Sequence, residues 1–103
     1  MRLFPEPLRF EWDAGNSGKN EALHGVSNQE AEEVFFDPTG FLFEDAGHSG
    51  VERRAGLLGE TNGGRRLAVL FTLRHDRVRV ISARDMSRKE RRTHEAAKKD
   101  SDL

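Results

Sequence analysis

His24, Arg79, Arg84, His94 and Glu95 are the residues of this sequence with the clearest chemistry to offer. Cleaving RNA without a metal requires a base that takes the proton of the 2′-hydroxyl. It also requires cations that stabilise charge building on phosphorus, and an acid that protonates the departing 5′-oxygen. Arg79 and Arg84 fall on and just after the strand-like run RVRVISAR. Strict alternation would set Arg79 on the face of Ile81 and Ala83, where apolar neighbours strengthen its field on a phosphate. The competing reading is an ion pair between Arg79 and an acidic residue of the first half of the chain. His24 stands before Gly25 at an expected helix end, where a cap could aim it at a ligand. His94 and Glu95 lie among Arg91, Arg92 and Lys98, cations that favour an ionised Glu95 and a neutral His94. On this pattern His94 or Glu95 is the base, His24 the acid, and the arginines bind phosphate. His75 falls at an expected hairpin tip, where plain solvent exposure is the simpler expectation.

Charge is distributed unevenly behind a formal net charge of only -1. Residues 1–60 carry a balance of -7, and residues 65–99 a balance of +8, most of it from arginine. Arginine presents a planar fork of donors that matches phosphate, so the basic half points to a polyanion partner. The alternative is that the two halves neutralise one another across the fold. With no cysteine in 103 residues, thiolate zinc sites, disulfides and cysteine nucleophiles are excluded. The four histidines show no H-x-x-x-H spacing, GETNGG at 59–64 lacks the lysine of a phosphate-binding loop, and no G-x-S-x-G is present. No metal and no cofactor is expected. The N-terminal MRLFPEPLRF has no apolar signal core, and no apolar run reaches bilayer length, so a cytoplasmic protein with no membrane association is expected.

The elements that must position these groups read as one small α+β domain over residues 1–103. A first strand is expected at 8–12, followed by a weak helix over 14–23 capped by Asp13 and interrupted by Gly15 and Gly18. Ser27 and Glu30 have capping-box spacing, and Ala31, Val34 and Phe35 form the apolar face of a second helix that Asp37-Pro38 ends. Strands are expected at Phe41–Glu44, Arg54–Leu58, Arg66–Arg74 and Arg77–Ala83. Arg66–Arg74 should be central because its middle is apolar on both faces. Thr61–Gly64 and Arg74–Arg77 read as turns. Ser87 and Glu90 open a last helix that has almost no apolar face, which suits a helix bound to a partner.

These residues together resemble the BrnT family of toxins. F10-E11-W12-D13, N20, H24-G25-V26-S27, E30-A31 and E33 to P38 are similar to the family's N-terminal signature. Arg54 ahead of a short strand ending at Gly59, the run closing on I81-S82-A83-R84, and Glu90, Arg91 and Glu95 continue it. The match spans roughly residues 10–95 in the family's order. The resemblance implies a RelE-like fold, RNA cleavage that stops growth, and Arg54 as a further site residue. It also implies neutralisation by a BrnA-like ribbon-helix-helix antitoxin, through which alone operator DNA would be bound. Asn16 and Leu23 stand where the family usually has lysine, and His94 where it has tyrosine. Lys19, one helical turn from Asn16, is placed to substitute. A catalytically degenerate, antitoxin-binding regulator is the alternative that the absent lysines favour.

Overall fold

The computed structural model describes residues 7–44 and 53–101. Residues 1–6 of MRLFPEPLRF, where no signal segment is expected, lie outside the described residues. Four strands follow one another as an antiparallel meander: β1 (Phe41–Glu44), β2 (Arg54–Glu60), β3 (Arg66–Arg74) and β4 (Arg77–Asp85), in the order β1-β2-β3-β4. Helices α1 (Lys19–His24) and α2 (Asn28–Glu33) precede the sheet, and α3 (Arg88–Ser101) follows it. The fold is α+β, with β3 in the interior of the sheet beside β4, as its two-sided apolar pattern requires.

The two faces of β3 explain that pattern. Leu67, Val69 and Phe71 join Val26, Ala31, Val34 and Phe35 in the main core. Ala68 turns the other way and packs with Leu58, Met86 and Phe43 in a smaller cluster. An edge-to-face series, Phe10 to Phe35 at 5.3 Å and Phe35 to Phe71 at 5.0 Å, ties the N-terminal segment through the 3₁₀ turn Val34–Phe36 to the sheet.

β4 departs from simple alternation. The register runs Leu70↔Ser82 and then Phe71↔Val80, which leaves Ile81 as the extra residue of a β-bulge. Val78, Val80 and Ala83 are consequently all buried in the main core. Arg79 therefore does not share a face with Ala83, as strict alternation had it; it pairs across from Thr72 on the opposite face.

The outer edge of β4 is covered rather than left open. The expected strand at 8–12 contracts to a single parallel bridge, Phe10↔Val78, flanked by backbone bonds from Val78 N to Arg9 O and Glu11 N to Val78 O, both 2.8 Å. Around the bulge two buried asparagines take over. Asn16 donates to Val80 O at 3.1 Å, and Asn20 accepts from Ala83 N at 3.0 Å. These bonds satisfy edge groups that would otherwise pair with another strand. Residues 14–18 form turns rather than the expected helix, and α1 starts only after Gly18, whose φ of 75° is left-handed. Two glycines in that stretch make a helix there costly.

Both expected capping boxes form. Ser27 accepts from Glu30 N at 3.1 Å while Glu30 accepts from Ser27 N at 3.0 Å, and Ser87 and Glu90 repeat the exchange. The helix that read as polar all round does have an inward face. His94 is fully buried, with Thr93 and Ala97 half-buried beside it.

Candidate phosphate-binding cleft

Strand register brings three residues into one row. Arg54 pairs with Thr72 across β2 and β3, and Thr72 pairs with Arg79 across β3 and β4. All three line a cavity of about 160 Å³ with Arg74, and with Asn16 and Lys19 from the chain leading into and opening α1. Four cations therefore converge on one small space. Arg54 is half-buried and Lys19 exposed, and neither makes an ion pair among the described residues.

Arg79 is fixed by carboxylates. Its Nη1 donates to Glu11 Oε1 and Asp13 Oδ2, each at 2.9 Å, and its Nη2 to Asp13 Oδ1 at 3.0 Å. The hydrogen bond from Arg79, and then that from Gly15 N–H, hold the Asp13 carboxyl below its usual range. In return, Asp13 and Glu11 raise the Arg79 guanidinium. Arg74 reaches Glu11 at 3.5 Å. The ion pair anticipated for Arg79 with the acidic first half is thus present. Among the described residues, Glu11 and Asp13 are the carboxylates paired with Arg74 and Arg79, while Lys19 and Arg54 add their charge to the cleft. Positive charge around a small cavity attracts an anion, and the attraction strengthens as water is excluded. Asn16, at a position where the resembling family has lysine, serves the fold: its amide bonds Glu11 O and Val80 O, and its carbonyl accepts from Asp13 N.

The opposite end of the sheet gathers the other candidates, and there Arg65, Arg66, Arg84 and Lys98 are each paired with an acid. Arg65 is the hub. Its guanidinium is bidentate to Asp85 at 2.8 and 3.1 Å, reaches Glu30 at 3.4 Å, and donates to the carbonyls of Gly25 at 2.7 Å and His24 at 3.1 Å. Arg65 is raised well above its ordinary value, first by the Asp85 hydrogen bond. Arg84 holds Glu90 at 2.7 Å, and that hydrogen bond lowers Glu90 to about 2. Arg66 pairs with Glu95 and Lys98 with Glu60, both at 2.8 Å. His94 lies inside, 3.4 Å from Asp37 Oδ2, with neither ring nitrogen hydrogen-bonded. A second cavity of about 290 Å³ at this end is lined by Arg66, Asp85 and Arg91.

Of the six sequence candidates, Arg54 and Arg79 line the cationic cleft; His24, Arg84, His94 and Glu95 do not. Lys19 lines it, in keeping with its place one turn from Asn16. Sequence reasoning missed Thr72, Arg74, Glu11 and Asp13. Hairpin symmetry held a usable signal: Thr72 and Arg79 are equidistant from the His75-Asp76 tip, so a two-residue turn sets them opposite each other. Among the described residues no group of three or more histidine, aspartate or glutamate side chains is arranged to hold a metal ion. No helix among them is long and apolar enough to cross a membrane.

A family model described as "Ribonuclease toxin, BrnT, of type II toxin-antitoxin system" matches residues 12–90. The match takes in Arg54, Thr72, Arg74, Arg79 and Arg84, and ends before His94 and Glu95. A comparison with curated proteins gives no match.

Proposed function

This chain belongs to the BrnT family of ribonuclease toxins of type II toxin–antitoxin systems, and from that premise we propose that it is a metal-independent endoribonuclease whose phosphate-binding site is the Arg54–Arg79 cleft. The convergence of Lys19, Arg54, Arg74 and Arg79 on one cavity carries the reading. Arg79, held by Glu11 and Asp13, is a pre-oriented donor. Arg54 and Lys19 are free to close on the scissile phosphate. Their charge offsets what develops on phosphorus, the role a divalent ion plays elsewhere. RNA cleavage by the purified protein should persist in EDTA. Cleavage that depends on added divalent metal would overturn the mechanism.

A second placement of the chemistry has one observation in its favour. Arg66 and Asp85 line the 290 Å³ cavity; Arg66 pairs with Glu95, and Arg65 ties Asp85 to the carbonyl of His24. In that placement His24 is the acid, Glu95 the base and Arg84 a phosphate binder. Alanine variants of Arg54 and His24 separate the two. His94, being buried, would act by positioning α3 rather than by meeting RNA.

The partner in this proposal is a BrnA-like antitoxin with a ribbon-helix-helix part. It covers the basic surface, including the exposed Arg88, Lys89, Arg91 and Arg92 of α3, and it carries the complex to operator DNA. Antitoxin and RNA should then compete, in the cytoplasm. Titration of labelled uncleavable RNA with and without antitoxin tests this. Unchanged RNA affinity in a ternary complex would place the antitoxin elsewhere. Because phosphate contacts release counterions, RNA binding should weaken steeply with salt.

A further inference from the structure

Beside the cationic cleft lies a larger cavity of about 780 Å³, and the two share Arg54, Thr72 and Arg74. Its lining differs in kind. Ala55, Phe71 and Leu73 give it an apolar wall, and Arg53 and Glu44 join the shared arginines in its lining. Leu73 is 48% exposed, a large apolar side chain near the open end of a central strand. The main core does not include it. We infer that this cavity is a nucleobase subsite, receiving the base of the nucleotide whose phosphate lies in the adjoining cleft. The inference rests on the proposed reading of that cleft.

Three features commit the site to a base rather than to another apolar group. Its volume falls in the range of roughly 300–1,000 Å³ typical of small-molecule sites. Its lining sets three arginines, Arg53, Arg54 and Arg74, against one carboxylate, Glu44, and this positive balance favours an apolar occupant that is itself tethered to an anion over a neutral one. The shared Arg54 and Arg74 reach both spaces, which suits a ligand with a flat apolar face and a phosphate a short covalent distance away. A nucleotide has that form, because every base offers a π-face that apolar side chains and arginine planes can cover.

The test compares two probes of equal charge: a 2′-O-methyl tetranucleotide and an abasic sugar–phosphate tetramer. The wild-type protein should bind the tetranucleotide about tenfold or more tightly than the abasic probe, the order expected from base contact. Leu73→Ser should remove most of that advantage without altering abasic binding or Tm, and Leu73→Trp should enlarge it. Equal binding of the two probes by wild-type protein, or an advantage that survives Leu73→Ser, would overturn the subsite and leave the cleft standing. Failure of the abasic probe to bind in a salt-dependent way, or binding unaffected by Arg54→Ala, would remove the cleft and the subsite with it.

Discussion

The two ends of this sheet use the same residue types for different ends. At the α3 end four cations are paired with acids, Arg65 with Asp85 and Glu30, Arg66 with Glu95, Arg84 with Glu90 and Lys98 with Glu60, while Arg88, Lys89, Arg91 and Arg92 are exposed along α3. Near the β3–β4 hairpin, Lys19, Arg54, Arg74 and Arg79 converge on a cavity; among the described residues Glu11 holds Arg74 and Arg79, Asp13 holds Arg79, and Lys19 and Arg54 pair with no carboxylate. A net charge near zero conceals this difference. A matched arginine organises structure, because removing it strands the groups it bonds. An unmatched arginine beside a cavity contributes little to folding and remains available to an anion. Removing an arginine should therefore give opposite phenotypes at the two ends.

The largest expected effect is at the hairpin end. Arg54→Ala should lower RNA cleavage by about 10²–10³-fold, the usual loss for one charge-stabilising donor. Stability should stay within about 0.5 kcal/mol of wild type, as for a surface substitution that breaks no bonded network. Single-turnover cleavage and urea unfolding of the same preparation measure both. Loss of folding with activity retained would invert the comparison.

Arg65→Ala comes next and should do the reverse. It removes the donor that links the end of α1, Glu30 of α2 and the end of β4, leaving Asp85 and two carbonyls without that donor and Glu30 with its bond from Ser27 N. Bonds to charged groups are worth about 1.5–3 kcal/mol each in favourable settings; with the guanidinium 31% exposed, a net loss of about 2 kcal/mol is expected. Urea unfolding should show it. Residual cleavage, normalised to folded protein, should change less than tenfold.

Acid sharpens the same contrast. Glu90 is lowered from 4.5 to about 2, first by its hydrogen bond from Arg84. A depressed carboxylate stabilises the fold above its unfolded pKa, and that contribution fades as pH falls through the folded one. The window therefore runs from about pH 4.5 down to about pH 2. Glu90→Gln should cost roughly 1 kcal/mol at pH 7 and nothing near pH 2. Unfolding curves for both proteins across that range decide it; a gap independent of pH would mean that the charge of Glu90 does not hold α3.

Local signals made most of the fold legible, and long-range register hid most of the site. The capping boxes at Ser27 and Ser87, the two-sided pattern of Arg66–Arg74 and the turn at 74–77 depend on residues a few positions apart, and each formed. The bulge at Ile81 depends on what β3 and the asparagines present across space, so alternation placed Arg79 on the wrong face. The last helix read as almost without an apolar face because its residues are charged; the burial of His94 is decided by the sheet beneath and by Asp37. Arg54 came forward only through family resemblance, since no local pattern around it signals a partner in Thr72.

The smallest effect concerns the turn that holds the hairpin end together. His75 and Asp76 have φ of 53° and 62°, both left-handed, in a two-residue connection between Arg74 and Arg77. Such a turn matches the twist of paired strands, and it favours asparagine followed by glycine because a Cβ is costly at positive φ. Both residues are exposed, so nothing but backbone conformation is altered by replacing them. His75→Asn with Asp76→Gly should relieve that cost. Part of the gain is cancelled, because glycine also gives the unfolded chain more freedom. A net stabilisation of about 0.5 kcal/mol is expected, read as a higher urea midpoint with unchanged slope. Because neither side chain lines the cleft, RNA cleavage and its salt dependence should be those of wild type. If the relaxed turn instead lowers cleavage, the strain at 75–76 sets the register of Thr72 against Arg79. The hairpin end would then owe its activity to conformation as well as to its unmatched charge.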